Sequence, residues 1–492
     1  MLCCNENTCF EELKQMQNFV KKIEAIGIYE RFDIIQEFQP GINIFFAING
    51  KGKTTFIHIL ANLLNGDYRR FLEIKFARIN LYLNDNKYIE IIKVDDETIE
   101  IKTKDERRGK KLRKNYNEFA LNNSGKLIGE EALLPTAYFP SFRTMIDAWA
   151  SVEEENLIKE NSQAEILNLE SLNLKNNLQL RATKFARKVF GQFVPYLSYP
   201  SIMEIEQELS EKIQTAIINI ARLDREVLAQ SFIDIFATLS SNYSQSNSQL
   251  DLETANEVLE EIKLLSKNIQ NYPLQEESIS PKGFYSQLRQ IIDSVKDYHT
   301  NSKQVIAVLG VYRDSLNQIF KTLEKSFAEI EHYISSVNYF LEDKQIIYGE
   351  KLNSLNSLIQ IRFEDGSLFD GLSALSSGER QILTLIYAAT SMNKKYVVLI
   401  DEPEISLHLD WQRLLLQKMS EQLPNLQIIT CTHSPMVGAD YEECLEPLNL
   451  TKTNKKLWDK KEDSQDGIEY LEDNYTQDNQ IENFEIDITD NE

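Results

Sequence analysis

The sequence predicts an α/β protein: a doubly wound parallel core with an antiparallel β lobe, split by a large helical insertion. Three observations lead there. A short apolar run at residues 42–46 is followed by a Gly- and Lys-rich loop and then a helical stretch, the strand–loop–helix order of a parallel α/β unit. A second unbroken apolar run, residues 396–400, closes on two adjacent carboxylates, Asp401 and Glu402, as expected of a central strand buried on both faces. Between Ser201 and Glu402 only Pro273 and Pro281 interrupt the chain, and glycine is scarce, which favours long helices.

The elements follow in order. Residues 22–28 and 32–38 read as strands joined by Tyr29-Glu30-Arg31, and Pro40-Gly41 turns the chain into the strand at 42–46. The pattern predicts a helix over 54–64, stopped at Asn65-Gly66. Residues 72–83, 88–94 and 97–103 read as an antiparallel meander with turns at Asn84-Asp85-Asn86 and Asp95-Asp96. Further on, Ile202, Ile205, Leu209, Ile213, Ala216, Ile220, Leu223 and Val227 are spaced three or four apart. So are Leu309, Tyr312, Leu316, Ile319, Leu323, Phe327, Ile330, Ile334 and Val337. These are seams of packed helices, and they predict an insertion with a short coiled-coil or bundle arm over roughly 150–350. Strand character returns at 359–363, 396–400 and 426–432, with a helix over 382–389.

Composition narrows the function class. Among 492 residues, 42% are hydrophobic and the formal net charge is −23. No apolar run approaches the length of a membrane span, and the N-terminus lacks the basic-then-apolar pattern of a signal peptide. Cys3, Cys4, Cys9, Cys431 and Cys444 are too sparse for a disulfide framework. That fits a reducing cytoplasm, and the first three lack zinc-ligand spacing and read as free thiols. The acidic balance argues against bulk nucleic-acid binding. Residues 102–114 are the exception, with eight basic residues against two acidic ones. Arg107, Arg108, Lys110, Lys111, Arg113 and Lys114 could meet DNA phosphates or form a solvated loop. Residues 462–492 hold twelve acidic residues and no Lys or Arg. This segment is predicted to be disordered, either solubilising or a docking or self-inhibiting segment.

Four motifs carry chemistry. In Ala47-Ile48-Asn49-Gly50-Lys51-Gly52-Lys53-Thr54-Thr55, the glycines let backbone N–H groups curl around phosphate. Lys53 can reach the β and γ phosphates and Thr54 can place its hydroxyl on Mg²⁺. Ala47 stands where such loops usually begin with glycine. Asp401 and Glu402 end a strand, where one carboxylate can orient Mg²⁺ and the next polarise water, although acidic pairs also make plain turns. His433 ends the strand at 426–432, at the edge where open α/β sheets bind ligands. It can contact a γ-phosphate or be structural. Ser376-Ser377-Gly378-Glu379 opens a helix, and such a start can bind an anion or simply cap the helix.

Taken together, AINGKGKTT at 47–55, LSSGERQ at 375–381, VVLIDEPEISLH at 397–408 and CTHSP at 431–435 resemble the ABC-type ATPases of the SMC and OLD branch. Within it, the set looks most like the AAA-family ATPase subunits of Septu-like and PARIS-like anti-phage systems, with His408 where transporters carry aspartate. The resemblance covers roughly 20–145 and 355–440. It implies a P-loop NTPase (ABC-type) head whose N-terminal part is 1–150 and C-terminal part 351–450, divided by the insertion at 151–350 and followed by the tail at 451–492. It implies ATP and Mg²⁺ as cofactors, with ATP clamped between two heads. Asn49 to Thr55 of one head would then face Ser376, Ser377, Gly378 and Glu379 of the other. Thr54 and Asp401 would hold the metal, and Lys53, Glu402 and His433 would act on the γ-phosphate, Glu402 as general base. His408 is expected at a subunit junction, and a separate effector protein is expected as partner. Two departures stand out. Leu409 replaces the usual proline, and the place of the Q-loop glutamine is taken by residues 134–143, where Ser141 or Arg143 would substitute.

Overall fold

A computed structural model describes residues 18–96, 98–104, 114–115, 132–146, 149, 169–240, 255–270, 272, 303–348, 358–423 and 425–453. Cys3, Cys4, Cys9, Arg107, Arg108, Lys110, Lys111, Arg113 and the acidic stretch 462–492 lie outside the described residues, and Lys114 is described only as part of a short strand.

The chain opens with β1 (Val20–Ile28) and β2 (Phe32–Glu37), then β3 (Ile42–Phe46) and α1 (Lys53–Leu64). An antiparallel meander follows: β4 (Arg78–Leu83), β5 (Tyr88–Lys93), β6 (Ile99–Lys104) and β7 (Lys114–Asn115). In β1 and β5 the alternation seen in the sequence puts Val20, Ile23, Ala25, Ile89 and Ile91 inside. One expectation fails here. Residues 72–77 do not begin the meander, because Tyr68–Glu73 is a 3-10 helix. The buried Lys93 ammonium donates to the carbonyls of Phe71 and Leu72 at 3.3 and 2.8 Å, so those groups are unavailable to a strand ladder. Burial of Phe71 and Phe76 holds the segment inward.

The second core strand is β8 (Thr136–Phe139). The helices α2 (Leu169–Phe190), α3 (Ile202–Ser240), α4 (Ala255–Gln270) and α5 (Lys303–Asn338) follow. Helices α3 and α5 pack on one another, and α4 packs on α5. The two predicted stripes are the packed faces: Ile205, Leu209, Ile213 and Ile220 of α3, and Leu316, Leu323, Phe327 and Val337 of α5, are all buried. The helical region ends earlier than expected, since β9 (Lys344–Tyr348) already pairs with β10 (Ile359–Phe363), which pairs with β11 (Leu368–Asp370).

The chain then returns to the core through α6 (Ser377–Ala388), β12 (Val397–Asp401), α7 (Leu409–Ser420), β13 (Gln427–Thr432), β14 (Leu445–Pro447) and β15 (Leu450–Lys452). The core sheet has the order β14-β3-β13-β12-β8, with every pairing parallel. Strand β15 joins the antiparallel sheet beside β2, so the ordered core runs two residues past the boundary expected at 450. Helix α1 packs on β12, β13 and β8. It buries Phe56, Ile57, Ile59, Leu60, Leu63 and Leu64 completely, at about 1.5–3 kcal/mol for each side chain. That burial anchors the loop preceding α1 against the sheet.

Among the described residues, no helix is long and apolar enough to cross a membrane. No group of three or more His, Cys, Asp or Glu side chains is arranged to hold a metal ion among them either.

Candidate nucleotide site

The loop between β3 and α1 is built for an anion. Gly50 and Gly52 have φ of 77° and 80°, a region glycine enters without steric cost. Ala47 is not among the left-handed residues, so its methyl group is accommodated where such loops usually have glycine. Helix α1 starts at Lys53 with no side-chain cap and no acidic residue in its first turn. Its first N–H groups therefore lack a side-chain acceptor, and the helix dipole favours a negative ligand there. The Lys53 ammonium is buried and donates to Ala47 O at 2.9 Å and Asn49 Oδ1 at 3.1 Å. It lies 3.6 Å from Glu402 Oε1.

Parallel pairing sets β12 and β13 in register, Asp401 opposite Cys431, while β3 flanks β13 with Phe46 opposite Thr432. The C-terminal ends of three strands therefore deliver Asn49–Thr55, Asp401-Glu402 and His433 to one edge. Asp401 is fully buried, and its Oδ2 accepts the Thr54 hydroxyl at 2.8 Å. Burial pushes its carboxyl up to about 6. The charge of Glu402 adds to this, while hydrogen bonds from Thr54 and Ser141 and the charge of Lys53 oppose it. Asp401 Oδ1 is buried with no hydrogen-bond partner among the described residues. A hydroxyl beside an unsatisfied carboxylate oxygen is an oxygen donor set that suits Mg²⁺, which takes one or two protein oxygens and completes its shell from phosphate and water.

Glu402 has φ of 53°, a strained state for a non-glycine residue that costs about 1–3 kcal/mol. Hydrogen bonds from two sources hold it. Its N–H donates to Cys431 O at 2.9 Å. The buried Arg143 guanidinium donates to the carbonyls of Asp401 and Glu402 at 3.2 and 3.1 Å, and to those of Pro140 and Pro403 at 2.9 and 3.4 Å. Arg143 thus clamps the turn through its backbone. His433 Nδ1 lies 3.6 Å from Glu402 Oε1 and 2.9 Å from Glu404 Oε1.

Ser376-Ser377-Gly378-Glu379 has different contacts. The Ser376 hydroxyl accepts from Glu379 N at 3.5 Å while the Glu379 carboxylate accepts from Ser376 N at 2.6 Å, a capping box. The box leaves the N–H groups of Ser377 and Gly378 unused. Ser376 and Ser377 are exposed. Helix α6 is held by its neighbours: Tyr333 of α5 donates to Leu383 O at 3.0 Å, Glu208 of α3 accepts from the Tyr387 hydroxyl, and Lys344 of β9 pairs with Glu379 at 3.1 Å. The Gln381 amide donates to Pro403 O at 2.9 Å, which ties α6 to the Asp401–Glu404 turn. His408 is 72% exposed at the start of α7, beside Asp410 at 3.4 Å.

Sequence reasoning missed Glu404, Gln381 and Tyr29, and named Arg143 only for the Q-loop place, not for its clamp on the turn. The Tyr29 hydroxyl hydrogen-bonds the Thr55 side chain, and the neighbouring Phe32 ring lies against Gly52. Tyr29 was visible only as a turn residue, and the other three act through long-range contacts that leave no periodic trace.

A family model described as "AAA domain, putative AbiEii toxin, Type IV TA system" matches residues 244–439. Residues 244–439 are therefore similar to an AAA domain. The match includes Asp401, Glu402 and His433 and begins well after the 47–55 loop, so that loop is joined to these residues by geometry alone. A curated relative, "Retron Vc95 probable ATPase" of Vibrio cholerae serotype O1 biovar El Tor, is 22% identical over 181 residues, covering 31% of this chain and 35% of the relative. The chain thus spans about a third of that relative's length. Among solved structures, the Smc head domain with a coiled coil and joint from Pyrococcus yayanosii is similar at 14% identity, over 87% of this chain and 94% of that one, with a TM-score of 0.34. The Smc head domain with an extended coiled coil bound to the C-terminal domain of ScpA, from Pyrococcus furiosus, is similar at 11% identity, over 90% and 98%, also with a TM-score of 0.34.

Proposed function

We propose that the protein binds MgATP between two copies of its AAA-type head, hydrolyses it, and uses the resulting association cycle to signal to a separate effector protein in an anti-phage defence system, in the manner of Septu-like or PARIS-like ATPase subunits. The observation that carries the hydrolytic part is the convergence of Lys53, Thr54, Asp401, Glu402 and His433 at the ends of β3, β12 and β13. In this reading the N–H groups of Asn49 to Thr55 cradle the phosphates and Lys53 exchanges its contact with Ala47 for phosphate oxygens. Thr54 and Asp401 hold Mg²⁺, which when bound draws charge from the phosphate oxygens. The Glu402 carboxylate takes the proton of the attacking water, and His433 donates to the γ-phosphate as negative charge shifts there. The open N–H groups of Ser377 and Gly378 face the nucleotide of the second copy.

The defence role draws its support from the likeness to a retron ATPase and to the toxin–antitoxin family model. Co-purification of the product of an adjacent gene with the full chain tests it.

The decisive experiment on the site is Glu402→Gln in the full chain. Nucleotide binding should persist within a few-fold, phosphate release should fall by at least about 10²-fold, and MgATP should convert monomer to a stable dimer. Hydrolysis at the parent rate would refute the mechanism. The charge pattern of residues 102–114 supports a second reading, a DNA-clamp ATPase. It requires that duplex DNA stimulate turnover and that neutralising Lys110, Lys111, Arg113 and Lys114 abolish the effect.

A further inference from the structure

Strands β12 and β13 each end in a turn, and one buried carboxylate joins the two. Glu404 is 7% exposed. Its Oε1 accepts from the Thr432 hydroxyl at 2.8 Å and from the N–H groups of His433 and Ser434 at 2.9 and 3.2 Å, and His433 Nδ1 lies 2.9 Å from it. Three donors and a ring nitrogen from three successive residues thus converge on a single oxygen. The next shell is also polar: the Ser434 hydroxyl donates to Gln412 Oε1 at 2.7 Å, and the Gln412 amide donates to Leu407 O at 3.0 Å and Glu404 O at 3.4 Å.

We infer that Glu404 is the positioning residue of His433. An ionised carboxylate only accepts, so Nδ1 turns a proton toward it, and Nε2, bearing the second proton, is the nitrogen that donates to the γ-phosphate in the proposed mechanism. The two backbone bonds fix where the ring begins, and the 2.9 Å approach of Nδ1 fixes how it turns. The inference rests on the reading of His433 as the residue that contacts the γ-phosphate. It assigns to the second glutamate of Asp401-Glu402-Pro403-Glu404 a task distinct from that of the first. Glu402 faces the reacting water in that reading, and Glu404 acts only through His433. A buried carboxylate holding one imidazole is the arrangement by which outer partners set the tautomer of histidine ligands, where their loss typically lowers activity about 10–100-fold.

The test is a double-mutant cycle on the full chain with steady-state kcat and KM for MgATP, using Glu404→Ala, His433→Ala and the pair. Glu404→Ala should lower kcat about 10–100-fold with KM within about twofold, and the pair should be no worse than His433→Ala alone, since two residues acting as one unit are not additive. Glu404→Gln is the conservative control. Its amide nitrogen can occupy the Oε2 position, which has no hydrogen-bond partner among the described residues, leaving an oxygen toward the same donors. It should retain more kcat than Glu404→Ala, and if Glu404→Ala does not fold, the same cycle is run with Glu404→Gln. Nitrogen-15 spectra of the parent should show His433 protonated at Nδ1. Losses that multiply in the double variant, or an unchanged kcat in the Glu404 variant, overturn the positioning role while leaving His433 in place. An unchanged kcat in His433→Ala removes the underlying reading, and the positioning role with it.

Discussion

Gly378 lies against the backbone of Ser406 so closely that a Cβ at position 378 would come within 2.8 Å of the Ser406 carbonyl oxygen and 3.5 Å of the Trp411 ring. The first turn of α6 and the turn after Glu404 therefore share one wall, and only glycine fits there. Gly378→Ala must displace backbone rather than a flexible side chain. It should spare nucleotide binding by the isolated head and lower phosphate release at least about tenfold, a loss of about 1.4 kcal/mol of transition-state stabilisation. Ser377→Arg, on an exposed side chain, should have the same effect without a packing defect and should prevent the MgATP-dependent dimer of the Glu402→Gln variant. Persistent dimer formation would mean that the start of α6 is a helix cap and nothing more.

Arg143 supports the strained turn at Glu402. Arg143→Met would leave the carbonyls of Asp401, Glu402 and Pro403 without this donor, and a buried group stripped of its partner costs about 1–3 kcal/mol. A drop of about 2–4 kcal/mol in urea-unfolding stability is expected. Arg143→Lys should recover little, because a single ammonium cannot span the carbonyls that the planar fork reaches. A lysine variant as stable as the parent would contradict this account.

Tyr29 is 41% exposed beside the phosphate loop, with its hydroxyl on Thr55. An exposed ring next to the start of α1 can carry the adenine face of a bound nucleotide, worth about 1–3 kcal/mol by alanine substitution at comparable stacking sites. Tyr29→Ala should raise KM for ATP about 5- to 150-fold with kcat held, and Tyr29→Phe should stay near the parent. Equal KM values in parent and alanine variant would place the base elsewhere.

His58 on α1 is buried and shares a 2.7 Å hydrogen bond with the Tyr138 hydroxyl of β8. Burial holds its imidazole down to about 3, against about 6.5 in the unfolded chain. Because the folded value is the lower one, the stabilising contribution is complete above about pH 6.5 and is lost as pH falls toward 3. Between pH 7 and pH 5.5 the parent should lose on the order of 1 kcal/mol more stability than His58→Gln, by the limiting slope of about 1.4 kcal/mol per pH unit. Parallel stability–pH curves for the two proteins would remove His58 as the cause.

Much of the site could be read in the residues because its parts are local. A strand, a glycine-bearing turn and a helix announce themselves over residues 42–64, β12 follows an unbroken apolar run into Asp401-Glu402, and β13 is a run rich in branched residues that leads into His433. The long helices were equally legible, since their buried stripes repeat every three or four residues. What escaped was polar and distant in sequence. Arg143 meets Glu402 across 259 positions and Thr432 meets Glu404 across 28, and neither contact has a period or a spacing rule. The end of the short helix, Leu72-Glu73, was misread as strand for the same reason, because the lysine that takes the carbonyls of Phe71 and Leu72 lies at position 93.

The pairing of β3 with β13, Ile42 to Phe46 beside Ile428 to Thr432, also has a consequence for biosynthesis. The strand that bears the phosphate loop emerges from the ribosome long before its neighbour exists. At about 5–20 residues per second, the interval is roughly 20 to 80 s. During that time β3 lacks the β13 partner it needs on one side. Contacts of such high sequence separation also close slowly. A nascent chain stopped before β13 would therefore carry the phosphate loop without its sheet, which makes the last part of the head the step that commits the protein to its native state.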